Sequence, residues 1–231
     1  MGYDVTVQRI PRLIESKKAR YDYRYSVEDA ATGNNNVFQT IGDPLSEESA
    51  YRIVSRATRV WTVRQVALDD EGNPELDDDG NTILSKETYA LKDVWLYADA
   101  RMEKDIQDDI FAKLGDKAGE ARPYFLTIMH DSVTRTGCGE DDMTPICPPE
   151  QASLAAWTPP DQNLHCSSSA FEPCKAAGPQ LDWARKHVRT VFKELCKSVY
   201  ELPDFRSLVE CLLGCVKGMF FIFLFCEHVS S

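Results

Sequence analysis

The chain has 231 residues, of which 43% are apolar, 27% charged and 10% aromatic; this balance excludes collagenous, wholly disordered and membrane-bundle architectures and supplies one sizeable core or two small ones. Its 26 Lys and Arg against 37 Asp and Glu give a net charge of −11, with no long basic run. That excludes a general nucleic-acid binder, because phosphate contacts need a basic surface.

Residues 1–9 lack the apolar stretch of a secretory signal, and nothing before the last dozen residues is hydrophobic enough to anchor in a bilayer. The expectation is an intracellular protein, cytoplasmic or nuclear, with no membrane partner. Met1-Gly2 followed by Thr6 matches a myristoylation pattern, but no basic cluster follows, and the bland reading is an ordinary start. In such a chain the eight cysteines read as reduced thiols. Cys138, Cys147, Cys166 and Cys174, with His165, do not reproduce the paired knuckles of structural zinc sites, so no metal is assigned to them.

Residues 1–45 mix short apolar patches with turn-formers such as Thr32-Gly33-Asn34-Asn35-Asn36 and read as a loosely ordered N-terminal extension. From Tyr51 a β-rich stretch runs through Ile53, Val54, Val60, Trp61, Val63 and Val66, and a second runs from Thr88 to Trp95. The acidic connection Asp69 to Asn81 superficially resembles a calcium loop. Its twelfth position falls on Lys86 and its flanks are strands, so it reads as an exposed hairpin loop.

Asp99 to Leu114 carries Met102, Ile106, Ile110 and Leu114 four apart, the spacing of one helix face. Glu103 projects into that apolar stripe and needs a partner there, since burying an unpaired carboxylate is costly. Tyr124 to Ile128 reads as a further strand, and 136–180 as an insertion or disordered loop rich in Pro, Ser, Gly and Cys. His187 to Glu194 reads as a strand. Pro203 and Asp204 open a helix with Phe205, Leu208, Leu212, Cys215 and Val216 on one side, and 218–231 is an atypical apolar tail, too short to span a bilayer.

Ser55-Arg56-Ala57-Thr58-Arg59-Val60-Trp61-Thr62-Val63-Arg64, then Leu91-Lys92-Asp93-Val94-Trp95 and the Glu103 helix, then His187 to Glu194 continuing through Val199-Tyr200-Glu201-Leu202 to Leu212, resemble the fungal-type protein kinase family. The resemblance covers about residues 45–217 apart from the insertion. It implies an α+β fold: a protein-kinase-like N-lobe over 46–135 (antiparallel sheet with a C-helix), then a hinge strand and the start of a helical C-lobe over 181–217. In that pattern Lys92 contacts the α- and β-phosphates of ATP and pairs with Glu103, with Asp105 as second choice. Ser55 and Ala57 stand about where a Gly-x-Gly turn covers phosphate, and Glu194, Leu195 and Cys196 occupy a hinge-like position facing adenine.

The sequence departs from the family where catalysis is concerned. No glycine lies between Tyr51 and Glu71, no histidine is followed by Arg-Asp, and Asp204-Phe205-Arg206 only mimics the metal-binding motif. The expectation is therefore a fragment of an ATP-dependent Ser/Thr protein kinase that lacks the catalytic base and the Mg²⁺ ligands. Mg²⁺ would enter only with a complete kinase form. The change of texture at Gly218 fits a retained intron, since GGT ATG TTT TTT encodes Gly218 to Phe221 and contains a splice-donor-like sequence. The alternative is a pseudokinase or partner-binding module, with a protein substrate or partner kinase and oligomerisation through an uncovered C-terminal helix.

Overall fold

The structure is a computed structural model that describes residues 4–12, 20–29, 32–47, 57–144, 184–197 and 199–227. Eight strands form one antiparallel sheet: β1 (Val7–Arg12), β2 (Arg20–Glu28), β3 (Asn35–Thr40), β4 (Ser46–Glu47), β5 (Arg59–Gln65), β6 (Tyr89–Tyr97), β7 (Ile128–Val133) and β8 (Arg185–Phe192). The order across the sheet is β1-β2-β3-β5-β6-β8-β7, with β4 paired to β5 beside the main path. Among the described residues three α-helices accompany it: α1 (Glu103–Leu114), the single turn α2 (Ala118–Ala121) and α3 (Phe205–Glu227).

Side chains alternate between the two faces of a strand. Tyr25 and Val27 of β2, Phe38 of β3, Trp61 and Val63 of β5, Tyr89 and Leu91 of β6 and Val191 of β8 therefore share one face, and together they form the main core. The register confirms the common face, since Trp61 lies opposite Leu91 and Leu91 opposite Val191. The sheet coils around this core until its far strand approaches β2. Arg189 of β8 donates to the Ser26 carbonyl at 3.1 Å, Arg135 just past β7 meets Glu28 at 2.9 Å, and the His130 ring lies 5.9 Å from Phe38.

A buried charged cluster closes one end of this face. Across the β6–β8 ladder Asp93 pairs with Arg189 and Trp95 with His187. Asp93 Oδ1 accepts from His187 Nε2 at 2.7 Å and from Arg189 Nε at 3.2 Å. The other imidazole nitrogen faces Asp142 at 3.0 Å, and the Arg189 guanidinium also reaches Asp4 and Thr6. The Trp95 ring stacks on His187 at 4.5 Å with the planes 6° apart, an arrangement that favours a cationic imidazole. Burial alone would lower the His187 pKa, but the hydrogen bond and charge of Asp93, with Asp142, outweigh it and raise it. Burial alone would raise Asp93, but His187 and Arg189 outweigh it and hold it below the usual carboxylate range.

The second face of the sheet carries the helices. Ile110 and Leu114 of α1 bury against Ala121 of α2, with Phe111, Ala118, Phe125 and Phe221 of α3 packed around them. Asp204 starts α3 by accepting the Ser207 N–H at 2.7 Å. α3 is continuous with the apolar run that the sequence set apart as a tail. Among the described residues no helix is long and apolar enough to cross a membrane.

Several expectations are corrected. The fold is not a protein-kinase-like N-lobe with a C-helix followed by a hinge and helical C-lobe: an eight-strand antiparallel sheet dominates, and among the described residues only α1 and α3 exceed a single turn. Residues of the expected N-terminal extension form β1, β2 and β3 and contribute Tyr25, Val27 and Phe38 to the core. Arg122–Tyr124 is a 3-10 turn, because Pro123 near its start favours a helical turn, and the strand begins only at Ile128. The expected insertion starts in order: Thr136 to Thr144 folds back on β8, with the Asp142 carbonyl accepting the His187 N–H at 2.9 Å. The acidic connection forms two successive turns in which Asp69 and Asp77 each accept backbone amides two and four residues on, at 2.7–3.0 Å. Those carboxylate oxygens serve the turns.

The charged cluster has a pH signature. The raised His187 pKa gives stability that is fully present below its ordinary value of 6.5 and lost as pH rises through the folded value; the lowered Asp93 pKa gives stability present above 3.8 and lost as pH falls through the folded value. Urea unfolding followed by tryptophan fluorescence should therefore show the cluster's contribution at its fullest between those limits. Asp93→Ala should cost about 3–5 kcal/mol there, since it strands two buried cations.

Candidate functional site

Lys92 lies at the centre of β6, and the alternation that sends Leu91 and Asp93 to the core face sends Lys92 to the face beneath α1. Its Nζ meets the Glu103 carboxylate at the first residue of α1. The lysine and glutamate side chains are 27% and 35% exposed, so the pair sits at the rim of the helix–sheet junction where a solute can reach it. The glutamate that needed a partner on the apolar face of its helix thus has one.

A second contact fixes the geometry of this pair. Directly across the ladder from Lys92 is Thr190, and opposite Thr190 on β7 is Asp131. Asp131 Oδ2 accepts the Lys104 N–H at 2.8 Å and Oδ1 accepts the Thr190 hydroxyl at 2.8 Å. Lys104 is the second residue of α1, whose own preceding residue, Met102, provides no side-chain cap. Asp131 therefore caps the helix from a neighbouring strand, supplying the acceptor that the first free amides need. Burial, aided by the nearby Glu103 and Asp105 charges, raises the Asp131 pKa despite both hydrogen bonds. The row Lys92, Thr190, Asp131 across three strands holds the first turn of α1 in place from both sides.

The other sequence-derived residues are distributed differently. Asp105 is exposed and its carbonyl accepts Arg101 at 3.1 Å; Glu103, not Asp105, is the partner of Lys92. Ser55 lies outside the described residues. Ala57 adopts φ 45°, the left-handed conformation that glycine takes without strain, just before β5. Glu194 follows β8, and its carboxylate accepts the Thr127 N–H at 2.7 Å, tying the strand end to the entry of β7. Burial alone would raise the Glu194 pKa, but the Thr127 hydrogen bonds outweigh it and lower it. Cys196 is an exposed free thiol. Glu194 is four residues beyond Thr190, about 13 Å along the strand direction, so the Glu194–Cys196 segment follows the end of β8 at some distance from the Lys92 pair.

Sequence reasoning missed Asp131, Thr190 and the Asp93–His187–Arg189 cluster. Each is a polar residue inside an otherwise apolar strand, and that is the signal that could have found them. Among the described residues no group of three Asp, Glu, His or Cys side chains could hold a metal ion. The arrangement presents the Lys92 ammonium beside the start of α1, with the Thr190 hydroxyl bonded to Asp131 next to it. No family model, curated protein or solved structure matches the chain.

The two halves of the junction should respond differently to mutation. Lys92→Met should change stability by less than about 1 kcal/mol, because a partly exposed ion pair contributes little. Asp131→Ala should cost about 1–2 kcal/mol through loss of the cap. Chemical denaturation gives both values, and hydrogen exchange should accelerate at Lys104 only in the Asp131 variant.

Proposed function

We propose that this chain is a fragment of a fungal-type ATP-dependent protein kinase that supplies the phosphate-contacting lysine without transferring phosphate itself. The observation that carries the reading is the ion pair between Lys92 on an inner strand and Glu103 at the start of the following helix. Kinases use such a pair to hold the lysine on the α- and β-phosphates. The reading rests on this pair and on the sequence resemblance over about residues 45–217 apart from the insertion, and it takes no support from the overall architecture.

The chemistry limits what the chain can do. A strand lysine is a point charge for a polyphosphate, and its partial exposure leaves the ammonium accessible. Phosphoryl transfer further requires an aligned base and metal ions that neutralise developing charge. These 231 residues contain neither a His-Arg-Asp nor an Asp-Phe-Gly sequence. ATP binding without turnover is the activity that remains.

A second reading, a partner-binding module without nucleotide, is favoured by a different observation, the long apolar and largely exposed surface of α3. One experiment separates the two. ATP added in the presence and absence of Mg²⁺ should raise the melting temperature of the wild-type chain, and Lys92→Met should weaken ATP binding at least tenfold while leaving the ligand-free melting temperature nearly unchanged. An ATP response that is absent, or equal in the variant, overturns the nucleotide reading.

A further inference from the structure

α3 is read most directly from its helical geometry. At 100° per residue Phe205, Val209, Leu212, Val216, Met219 and Phe223 fall within about 40° of a single line along the helix. They are 78%, 46%, 55%, 61%, 55% and 63% exposed. Their spacing alternates four and three, the pattern of a coiled-coil seam. Gly218 and Phe221 fall on the opposite side, within about 40° of its midline, and there α3 packs on the body of the molecule. Gly218 is buried, a Cβ there would lie 3.4 Å from the Tyr124 Cβ, and Phe221 stacks on the Tyr124 ring at 5.9 Å. The covered stripe and the exposed seam are thus back to back.

We infer that α3 pairs in parallel with α3 of a second copy of this chain through the Phe205–Phe223 seam. The inference rests on the partner-binding reading of α3 and is independent of nucleotide. Three features favour a second copy over another occupant. Val209 and Val216 alternate with Leu212 and Met219, and β-branched residues at one core position with unbranched-β residues at the other suit a parallel two-stranded coil. Leu213, Phe220 and Ile222 flank the seam and are 52%, 59% and 40% exposed; Arg206 flanks it too but pairs with Glu210 of its own helix at 2.9 Å, and Glu210 and Lys217 lie toward the covered side, so like surfaces meet without placing unpaired charge against charge. With the six seam residues these three offer, at on the order of 100 Å² each, about 900 Å², comparable to the roughly 800 Å² per partner of a standard interface. The seam spans fewer than three heptads, and the apolar flanks supply the area that so short a coil would otherwise lack.

Light scattering coupled to size exclusion at tens of micromolar should give about twice the 26.1 kDa of one chain. Leu212→Glu and Leu212→Lys should each yield a monomer with an unchanged circular dichroism spectrum, and an equimolar mixture of the two should restore the dimer. That rescue keeps the test decisive if one variant folds poorly alone. A wild-type monomer that still binds a hydrophobic dye through α3 overturns pairing and leaves α3 as a surface for some other partner or a lipid surface. A wild-type monomer with no such dye binding overturns both readings. A dimer that persists in both Leu212 variants overturns the seam.

Discussion

The pairing of β6 with β8 is the constraint on which the rest of the structure depends. It runs from Ala90 opposite Phe192 to Tyr97 opposite Arg185, and it places charged residues on both faces of the sheet at once. On the core face it aligns Asp93 with Arg189 and brings His187 within hydrogen-bond distance of Asp93. On the helix face it aligns Lys92 with Thr190 and so with Asp131. A slip of one residue would send Asp93 to the helices and Lys92 into the apolar core, so the register carries a heavy electrostatic penalty against alternatives.

This dual use of one strand separates a buried charged cluster from a partly exposed ion pair. The core-face charges are buried, mutually bonded and intolerant of losing a partner. The helix-face lysine is partly exposed and bonded to a single carboxylate. Asp131 caps α1 from β7, and the Lys92 ammonium holds Glu103 at the same first turn. α3, seated on the far side of α1 with its outer stripe uncovered, belongs to a separate surface and imposes nothing on the Lys92 pair.

The Lys92–Glu103 contact was legible in the sequence, and the physical reasons are specific. The four-residue spacing of Met102, Ile106, Ile110 and Leu114 identified α1, and the azimuth of Glu103 within that stripe demanded a cation, which Lys92 supplies. The cap by Asp131 was not legible, because it joins residues 27 apart through tertiary packing and leaves no local pattern. β2 was legible but misread: Tyr23, Tyr25 and Val27 alternate with Asp22, Arg24 and Ser26 in strict period two, yet tyrosines among charges resemble a surface segment until a core is there to receive their rings. Asp93, His187 and Arg189 likewise occupy positions that a strand pattern would give to core residues, and composition alone cannot distinguish a charge facing water from one satisfied inside.

The central claim is that Lys92 is a ligand-facing cation rather than a structural one, and amide-resolved NMR titration with ATP tests it most directly. The account predicts chemical-shift changes clustered at Lys92, Glu103 and Thr190 and extending to the Lys193–Cys196 edge, with the Asp93, His187 and Arg189 amides little affected. Changes confined to other basic surfaces such as Lys113 to Arg122, or no saturable change at Lys92, would contradict it.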